Sequence, residues 1–373
     1  MNPILQFGTS RFLQAHADLF ISEALENGDA LGPITIVQTT DSAQSARRVA
    51  AFNQPGGFPV RIRGRRNGVA LDREQRVTSV TRALQASHDW PQIREEMCTS
   101  VKVIISNAGD TGYVLSDADH PGLLESDIAP AGFPAKLLVL LHARFKRNAA
   151  PVTLLPCELL VNNGTVLSEL VVKLARDWSL SEEFVTYLKT DCIWVNSLVD
   201  RIVSEPLEPV GAVAEPYALW AIERQPNMLL PCRHPDMVVT DKLEPYERRK
   251  LFFLNLGHTF LAEQWQIAGG PAEMTVLDAM TDHSLSSQLV ALWEEEVMPI
   301  FRALGEEDES RAYLEQVIDR FSNPFLVHRL SDIAQNHAEK KRRRFGPVLA
   351  LAAGQGLAIP QNRLRAALAR TAA

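Results

Sequence analysis

Short apolar segments alternate with stretches of helical spacing through the first two hundred residues, and that order constrains the fold more than any other property of the chain. Ile4-Leu5-Gln6-Phe7 reads as a strand ending at Gly8, and Phe12, Ala15, Leu19, Phe20 and Leu25 then recur at helical spacing until Asn27-Gly28. Ile34 to Gln38, Val101 to Ile105 and Val152 to Leu155 are further strand signals, the last followed by a helix from about Val166 to Trp178. Strands separated by helices imply a parallel sheet covered on both faces. The polar section from Gln54 to Arg76 interrupts this order as an antiparallel excursion turning at Gly64-Arg65-Arg66-Asn67-Gly68.

After about Pro206 the character changes. Prolines 206, 209, 216, 226, 231 and 235 suggest an irregular crossing region, and strand signals almost vanish beyond it. Helices are expected near 246–265, 272–280, 284–304, 310–321, 326–340 and 361–369. At 373 residues the chain exceeds one average core. The expectation is an α/β N-terminal domain over 1–205, of Rossmann type, and a mostly α-helical C-terminal domain over 206–373, with the active site between them.

A hydrophobic fraction of 46% and a charged fraction of 22% are those of a globular protein. The net charge of −7 and the dispersed basic residues argue against nucleic acid as a partner, and the one cluster, Lys340-Lys341-Arg342-Arg343-Arg344, suggests a local anion site at most. No apolar run approaches the roughly 20 residues of a membrane span, and no signal segment is visible. Cys98, Cys157, Cys192 and Cys232 are far apart and form no CxxC pair, which speaks against a zinc site or a disulfide framework and fits a cytoplasmic protein. A monomer or small homo-oligomer is expected.

Lys250-Leu251-Phe252-Phe253-Leu254-Asn255-Leu256-Gly257-His258-Thr259-Phe260 sets three polar side chains into a run that is otherwise almost wholly apolar. On an α-helix, Lys250, Asn255 and His258 fall within roughly 140° of arc, opposite Phe252, Phe253, Leu256 and Phe260. Unpaired buried polar groups cost about 1–3 kcal/mol each, so the three must satisfy one another or face a cavity. A desolvated lysine there loses basic pKa and can serve as a base. An ordinary core helix with a snorkelling lysine is the plainer alternative.

Three strand ends carry further candidates. Phe7, Gly8, Thr9, Ser10, Arg11 and Phe12 stand where a dinucleotide-binding turn would stand, with helix-start amides available to a pyrophosphate; a strand-ending glycine with no ligand is equally compatible. Gln38 and Asp41 are candidates for an adenosine ribose, and an acidic Asp41 favours NAD over NADP. Ser106 and Asn107, in the segment Ile105 to Gly112, end the third strand, where an open parallel sheet presents its crevice, although a plain turn would look the same. Pro156-Cys157-Glu158 to Asn163-Gly164 ends the fourth.

Taken in order, the Phe7 to His16 segment, Pro156-Cys157-Glu158…Asn163-Gly164, Asn196-Ser197-Leu198-Val199-Asp200-Arg201-Ile202, Lys250…Asn255…His258 and Arg320-Phe321-Ser322-Asn323-Pro324 resemble the mannitol dehydrogenase family of polyol-specific long-chain dehydrogenases. The resemblance runs from about residue 4 to 347. Asn323 to His328, Asp332 to Asn336 and Lys340…Arg344…Pro347 look most like its tagaturonate reductase, or altronate dehydrogenase, branch. It implies metal-independent, NAD-linked interconversion of an alcohol and a ketone on a small sugar acid or polyol. Lys250 would be the general base, Asn163 and Asn255 an oxyanion-hole pair, and His258 a hydrogen-bond partner of the substrate. Asp200 would orient substrate or lysine. Lys340 and Arg344, four residues apart on one helical face, would bind a carboxylate. Ser10 departs from the glycine expected in the dinucleotide turn, and the chain looks shorter than typical members. Tyr246-Glu247-Arg248-Arg249-Lys250 also matches the YxxxK spacing of short-chain dehydrogenases, but no serine is suitably placed upstream. Alternative readings are a sugar-phosphate or 3-hydroxyacid dehydrogenase, or a catalytically silent nucleotide-binding sensor.

Overall fold

The computed structural model describes residues 1–109 and 112–370; Asp110 and Thr111, in the segment read above as a strand end, lie outside the described residues. The chain divides into two compact units. The first comprises Met1–Ile62, Arg73–Ala214 and Ala218–Leu243, and the second Arg63–Asp72, Glu215–Tyr217 and Glu244–Ala373. The last passage from the first unit to the second falls at Leu243 and Glu244, where a single boundary was expected at residue 205.

In chain order the first unit starts β1 (Ile4–Phe7), α1 (Arg11–Gln14), α2 (Ala17–Asn27), β2 (Ile34–Gln38) and α3 (Ala43–Phe52). β3 (Phe58–Arg66) and β4 (Val69–Val77) form the expected excursion, turning through Asn67 and Gly68, both with positive φ. Then follow β5 (Val80–Gln85), α4 (Trp90–Thr99), β6 (Val103–Ser106), α5 (Phe133–Arg147), β7 (Val152–Pro156), α6 (Asn163–Asp177), α7 (Glu182–Thr190) and β8 (Cys192–Trp194).

The main sheet runs β5-β2-β1-β6-β7-β8, all parallel. Numbered along the sheet's own strands this is 3-2-1-4-5-6, the doubly wound order of Rossmann domains. Every residue of β1, β2, β6 and β7 is buried, as a parallel sheet covered on both faces requires. The order reverses between β1 and β6, so the strand ends at Phe7 and Ser106 flank the switch point.

The region around and after Pro206 is less irregular than the prolines suggest. β9 (Ser197–Asp200), β10 (Val203–Pro206), β11 (Ala212–Ala214), β12 (Leu219–Glu223) and β13 (Met237–Thr240) are three to five residues long, too short for a periodic signal to show. They build a β13-β12-β9 sheet and contribute β10 and β11 to a second sheet with β3 and β4.

The second unit is mostly helical: α8 (Glu244–Arg249), a π-helical segment (Lys250–Asn255), α9 (Leu256–Ala268), α10 (Val276–Thr281), α11 (His283–Leu292), a second π segment (Trp293–Val297), α12 (Met298–Leu304), α13 (Glu307–Phe321), α14 (Leu330–Ile333), α15 (His337–Gly354) and α16 (Asn362–Ala369). Phe252, Phe253, Leu256 and Phe260 pack into a core with Trp293, Phe301, Phe321 and Phe345. Gly257 allows the close approach: a Cβ there would stand 2.5 Å from the Trp293 ring. The helix expected at 326–340 is absent. Asn336, with φ of 53°, separates the single turn of α14 from α15, which instead runs through Pro347.

Candidate functional site

Gly8 shapes the end of β1. Its φ of 107° is a conformation L residues rarely adopt, and a Cβ would lie 2.7 Å from the Asn107 carbonyl oxygen across the switch point. The missing Cβ lets the Asn107 main chain approach closely, and a tight glycine turn at a strand end is what a dinucleotide-binding turn requires. Thr9 Oγ1 meets Gln38 Oε1 at 2.5 Å, tying the turn to the end of β2. The Ser10 hydroxyl accepts from Leu13 N and caps α1, so the serine that replaces glycine is a helix cap. The helix expected from Arg11 to Glu26 is broken at Ala15 and His16 into α1 and α2. Phe7 is buried in β1, and Phe12 stacks on His16 with centroids 4.7 Å apart.

Several expected cofactor contacts also make hydrogen bonds within the fold. Arg11 Nη1 donates to the Leu207 and Gly211 carbonyls at 3.2 and 3.0 Å, and Nη2 pairs with Glu208 at 2.7 Å, which turns the guanidinium toward that loop. Asp41 Oδ1 accepts from Gln85 Nε2 at 2.7 Å. Ser106 Oγ donates to Glu158 Oε2 at 3.2 Å, and Asn107 Nδ2 to the Cys157 carbonyl at 2.9 Å.

Glu158 carries a role the sequence did not reveal. Its carboxyl accepts from Ser106 Oγ, from Ala108 N at 2.9 Å and from Tyr113 OH at 3.2 Å, so one buried side chain ties these three residues together. Burial pushes its pKa up, against the hydrogen bonds that pull it down. The available signal was its place beside Cys157 at a strand end.

Asn163, at the first position of α6, is fully buried. Its Nδ2 lies 3.1, 3.1 and 3.0 Å from the carbonyls of Pro156, Glu158 and Ser197, and its Oδ1 accepts from Gly164 N and Ser197 N at 2.9 Å each. Two amide hydrogens facing three carbonyls are fully committed. The side chain expected as an oxyanion donor therefore pins the turn after β7 to the start of β9. Asn196 completes the pin, accepting from Thr165 N at 2.9 Å and donating to Glu223 Oε2 at 2.8 Å. Asp200 is buried at the end of β9, and Arg201 donates to the Ala15 carbonyl at 2.6 Å.

In the second unit, Lys250 and Asn255 are half-buried and His258 is buried. Lys250 opens the π segment and Asn255 closes it, with Leu256 N donating five residues back to the Leu251 carbonyl. Bonds from i to i+5 give roughly 4.4 residues per turn. Lys250 and Asn255 are then about 50° apart rather than about 140°, and three α steps bring His258 back to within about 10° of the lysine. The wide turn thus narrows the polar arc to roughly 60°. π segments inside α-helices occur frequently at functional sites. The His258 ring stacks on Phe321 at 4.3 Å and meets His328 edge-on at 4.7 Å. Tyr246, of the YxxxK match, lies under the Arg249 guanidinium at 4.7 Å.

Lys340 and Arg344, expected to hold a carboxylate, are engaged with main chain. Lys340 Nζ donates to the Ile333 carbonyl at 2.8 Å, and Arg344 Nη1 to the Asn255 carbonyl at 3.2 Å and Thr259 Oγ1 at 2.8 Å. The Arg320-Phe321-Ser322-Asn323 motif is likewise structural: Arg320 pairs with Glu215 at 2.7 Å, both almost wholly buried, and Asn323 Nδ2 donates to the Arg63 carbonyl. Among the described residues no group of three or more His, Cys, Asp and Glu side chains could hold a metal ion, and no helix is long and apolar enough to cross a membrane. All four cysteines are free and buried.

Sequence profiles of the mannitol dehydrogenase Rossmann domain and of the mannitol dehydrogenase C-terminal domain match residues 2–230 and 242–371. The chain belongs to the mannitol dehydrogenase family. Among its relatives in that family, an altronate oxidoreductase of Halalkalibacterium halodurans is 31% identical, over 92% of this chain and 69% of the relative. The altronate oxidoreductase of Bacillus subtilis is 30% identical, over 96% and 77%. The fold is shared with a substrate-free D-sorbitol dehydrogenase (TM-score 0.81, 18% identity, 99% of this chain and 80% of that one). It is shared too with a Pseudomonas fluorescens mannitol 2-dehydrogenase in ternary complex with NAD and D-mannitol (TM-score 0.72, 19% identity, 99% and 78%).

Proposed function

We propose that this member of the mannitol dehydrogenase family is an NAD-dependent oxidoreductase that interconverts a secondary alcohol and a ketone on a sugar acid of the altronate and tagaturonate kind, or on a related polyol. The observation that carries the reading is the π segment that Lys250 opens and Asn255 closes, whose wide turn would bring both and His258 onto one stripe. The altronate oxidoreductase relatives support the sugar-acid class. The Gly8 turn at the switch point fits a dinucleotide, and Gly8, Thr9 and the main chain of Ser10 would hold it. When bound, the nicotinamide supplies the hydride acceptor.

Lys250 Nζ takes the proton of the substrate hydroxyl as the carbinol carbon gives up hydride, and returns it in the reverse direction. Asn255 donates an amide hydrogen to the oxygen as charge develops on it, without offering a competing acid. His258, held between Phe321 and His328, donates to or accepts from a neighbouring hydroxyl. Asn163 enters this scheme only as the residue that holds the turn after β7. No step requires a metal in this scheme, and the expected place of work is the cytoplasm.

The test is Lys250→Met. Turnover should fall by roughly 10²–10⁴, the usual contribution of a general base, while NAD binding measured by fluorescence titration stays intact. Altronate and mannitol are assayed side by side, with NAD and with NADP. Retention of most activity by the variant would remove Lys250 from the mechanism.

A further inference from the structure

The π segment is an unfavourable local choice, since its wide turn gives up the regular i to i+4 ladder that an α-helix would keep. Something must hold it, and the contacts at its C-terminal exit are specific. Arg344 projects from α15, and α15 packs along α9. Its Nη1 donates both to the carbonyl of Asn255, the last π residue, and to Thr259 Oγ1; the Thr259 hydroxyl donates to the same carbonyl at 3.1 Å. Thr259 is fully buried and Arg344 half-buried, and burial pulls the arginine's pKa down without threatening its charge. A guanidinium, a hydroxyl and one carbonyl thus form a closed triangle at the residue where the helix returns to α geometry.

We infer that Arg344 is a positioning residue, clamping the Asn255 main chain at the end of the π turn so that the Asn255 amide and Lys250 share one stripe. The inference rests on the function proposed above for that stripe. It replaces the carboxylate-binding role that the spacing of Lys340 and Arg344 suggested. Lysine can replace it only in part: both bonds come from the one Nη1, which an ammonium can imitate, but a flexible stem lacks the fixed orientation of the planar guanidinium. The neighbouring basic side chains have other partners: Lys341 pairs with Glu263 at 2.9 Å, and Arg343 with Glu339 at 3.5 Å.

The experiment compares Arg344→Met, Arg344→Lys and Thr259→Val in the full chain. Steady-state kinetics on altronate and on mannitol are read beside hydrogen–deuterium exchange of the 250–262 segment. Arg344→Met should lower kcat by roughly 10- to 100-fold on both substrates, as a misplacement of about 1 Å does, with KM little changed and exchange of 255–260 faster. Arg344→Lys should recover part of kcat, and Thr259→Val should reproduce a milder form of the same pattern. A rise in KM confined to the acid, with kcat and exchange intact, would overturn the clamp in favour of carboxylate binding. Unchanged exchange in both Arg344→Met and Thr259→Val would overturn it as well. The exchange readout does not depend on turnover, so failure of the Lys250 mechanism is seen in Lys250→Met and failure of the clamp is seen here.

Discussion

Asn163 and Asn255 were expected to act as a pair, yet they stand in regions of opposite character. Around Asn163, the side chain is fully buried beneath the turn after β7 and every polar atom of it has a main-chain partner. Around Asn255, the π turn leaves the side chain half-buried, and it is the main-chain carbonyl that is clamped. The same amide therefore serves two ends. Where the hydrogens are spent inside the fold, removal should cost stability; at Asn255, which the proposed function sets against the substrate oxygen, removal should cost rate.

Substituting each asparagine by alanine should separate the two, and this is the largest expected effect. Asn163→Ala leaves buried main-chain groups of Pro156, Glu158, Gly164 and Ser197 short of partners, at about 1–3 kcal/mol for each group that water cannot reach. A large drop in Tm, or loss of folded protein, is expected in a thermal melt. Asn255→Ala should keep the wild-type Tm and lose roughly 10²–10³ in kcat, the scale of one oxyanion-hole donor. If Asn163→Ala melts like wild type and loses only turnover, the contrast collapses and Asn163 returns to the oxyanion pair.

The contrast also explains what the sequence made legible. Strand and helix alternation carried the first unit because buried parallel strands are dense in apolar residues, and the Lys250, Asn255 and His258 triplet stood out because polarity inside an apolar helix is costly. Three features stayed hidden for physical reasons. β11 to β13 are too short to show a period, the π turn changes helical phase without changing composition, and Arg344 finds its partners some 85 to 89 residues away in the chain. Charge spacing on one helix face could suggest that Arg344 binds an anion, but only the fold reveals that a carbonyl is already there. Glu158 was visible as a residue and silent as a role, since nothing local shows that a strand-end carboxyl will meet Ser106, Ala108 and Tyr113.

A smaller effect is expected at Gly8, which the proposed function assigns to NAD binding in the first unit. Gly8→Ala forces an L side chain into φ of 107° and into the Asn107 carbonyl. Strain of about 1–3 kcal/mol corresponds to roughly 5- to 150-fold in an equilibrium constant. It should appear as weaker NAD binding in a fluorescence titration, with kcat at saturating NAD close to wild type. A variant that binds NAD normally but loses turnover would mean that the β1 turn is part of the chemistry, and the division between the two regions would no longer hold.

The smallest effect belongs to Asp18, a fully buried acid on α2 that takes no part in the proposed chemistry. Burial raises its pKa to about 8, and the Gln6 side chain beside it offsets only part of that rise. The folded state therefore keeps a proton that the unfolded chain releases near the ordinary aspartate value of about 3.9. With the unfolded state binding fewer protons, stability falls as pH rises between those two values and levels off above the folded pKa. The slope is bounded at about 1.4 kcal/mol per pH unit, which for a chain of this size moves Tm by only a few degrees per unit. Asp18→Asn removes the titration while keeping the shape, so its Tm between pH 6 and 8 should decline less than that of the wild type, with kcat unchanged at each pH. A wild-type Tm that holds level or rises between pH 6 and 8, together with a variant that tracks it, would show that Asp18 is ionised in the folded protein and has a partner that offsets its burial.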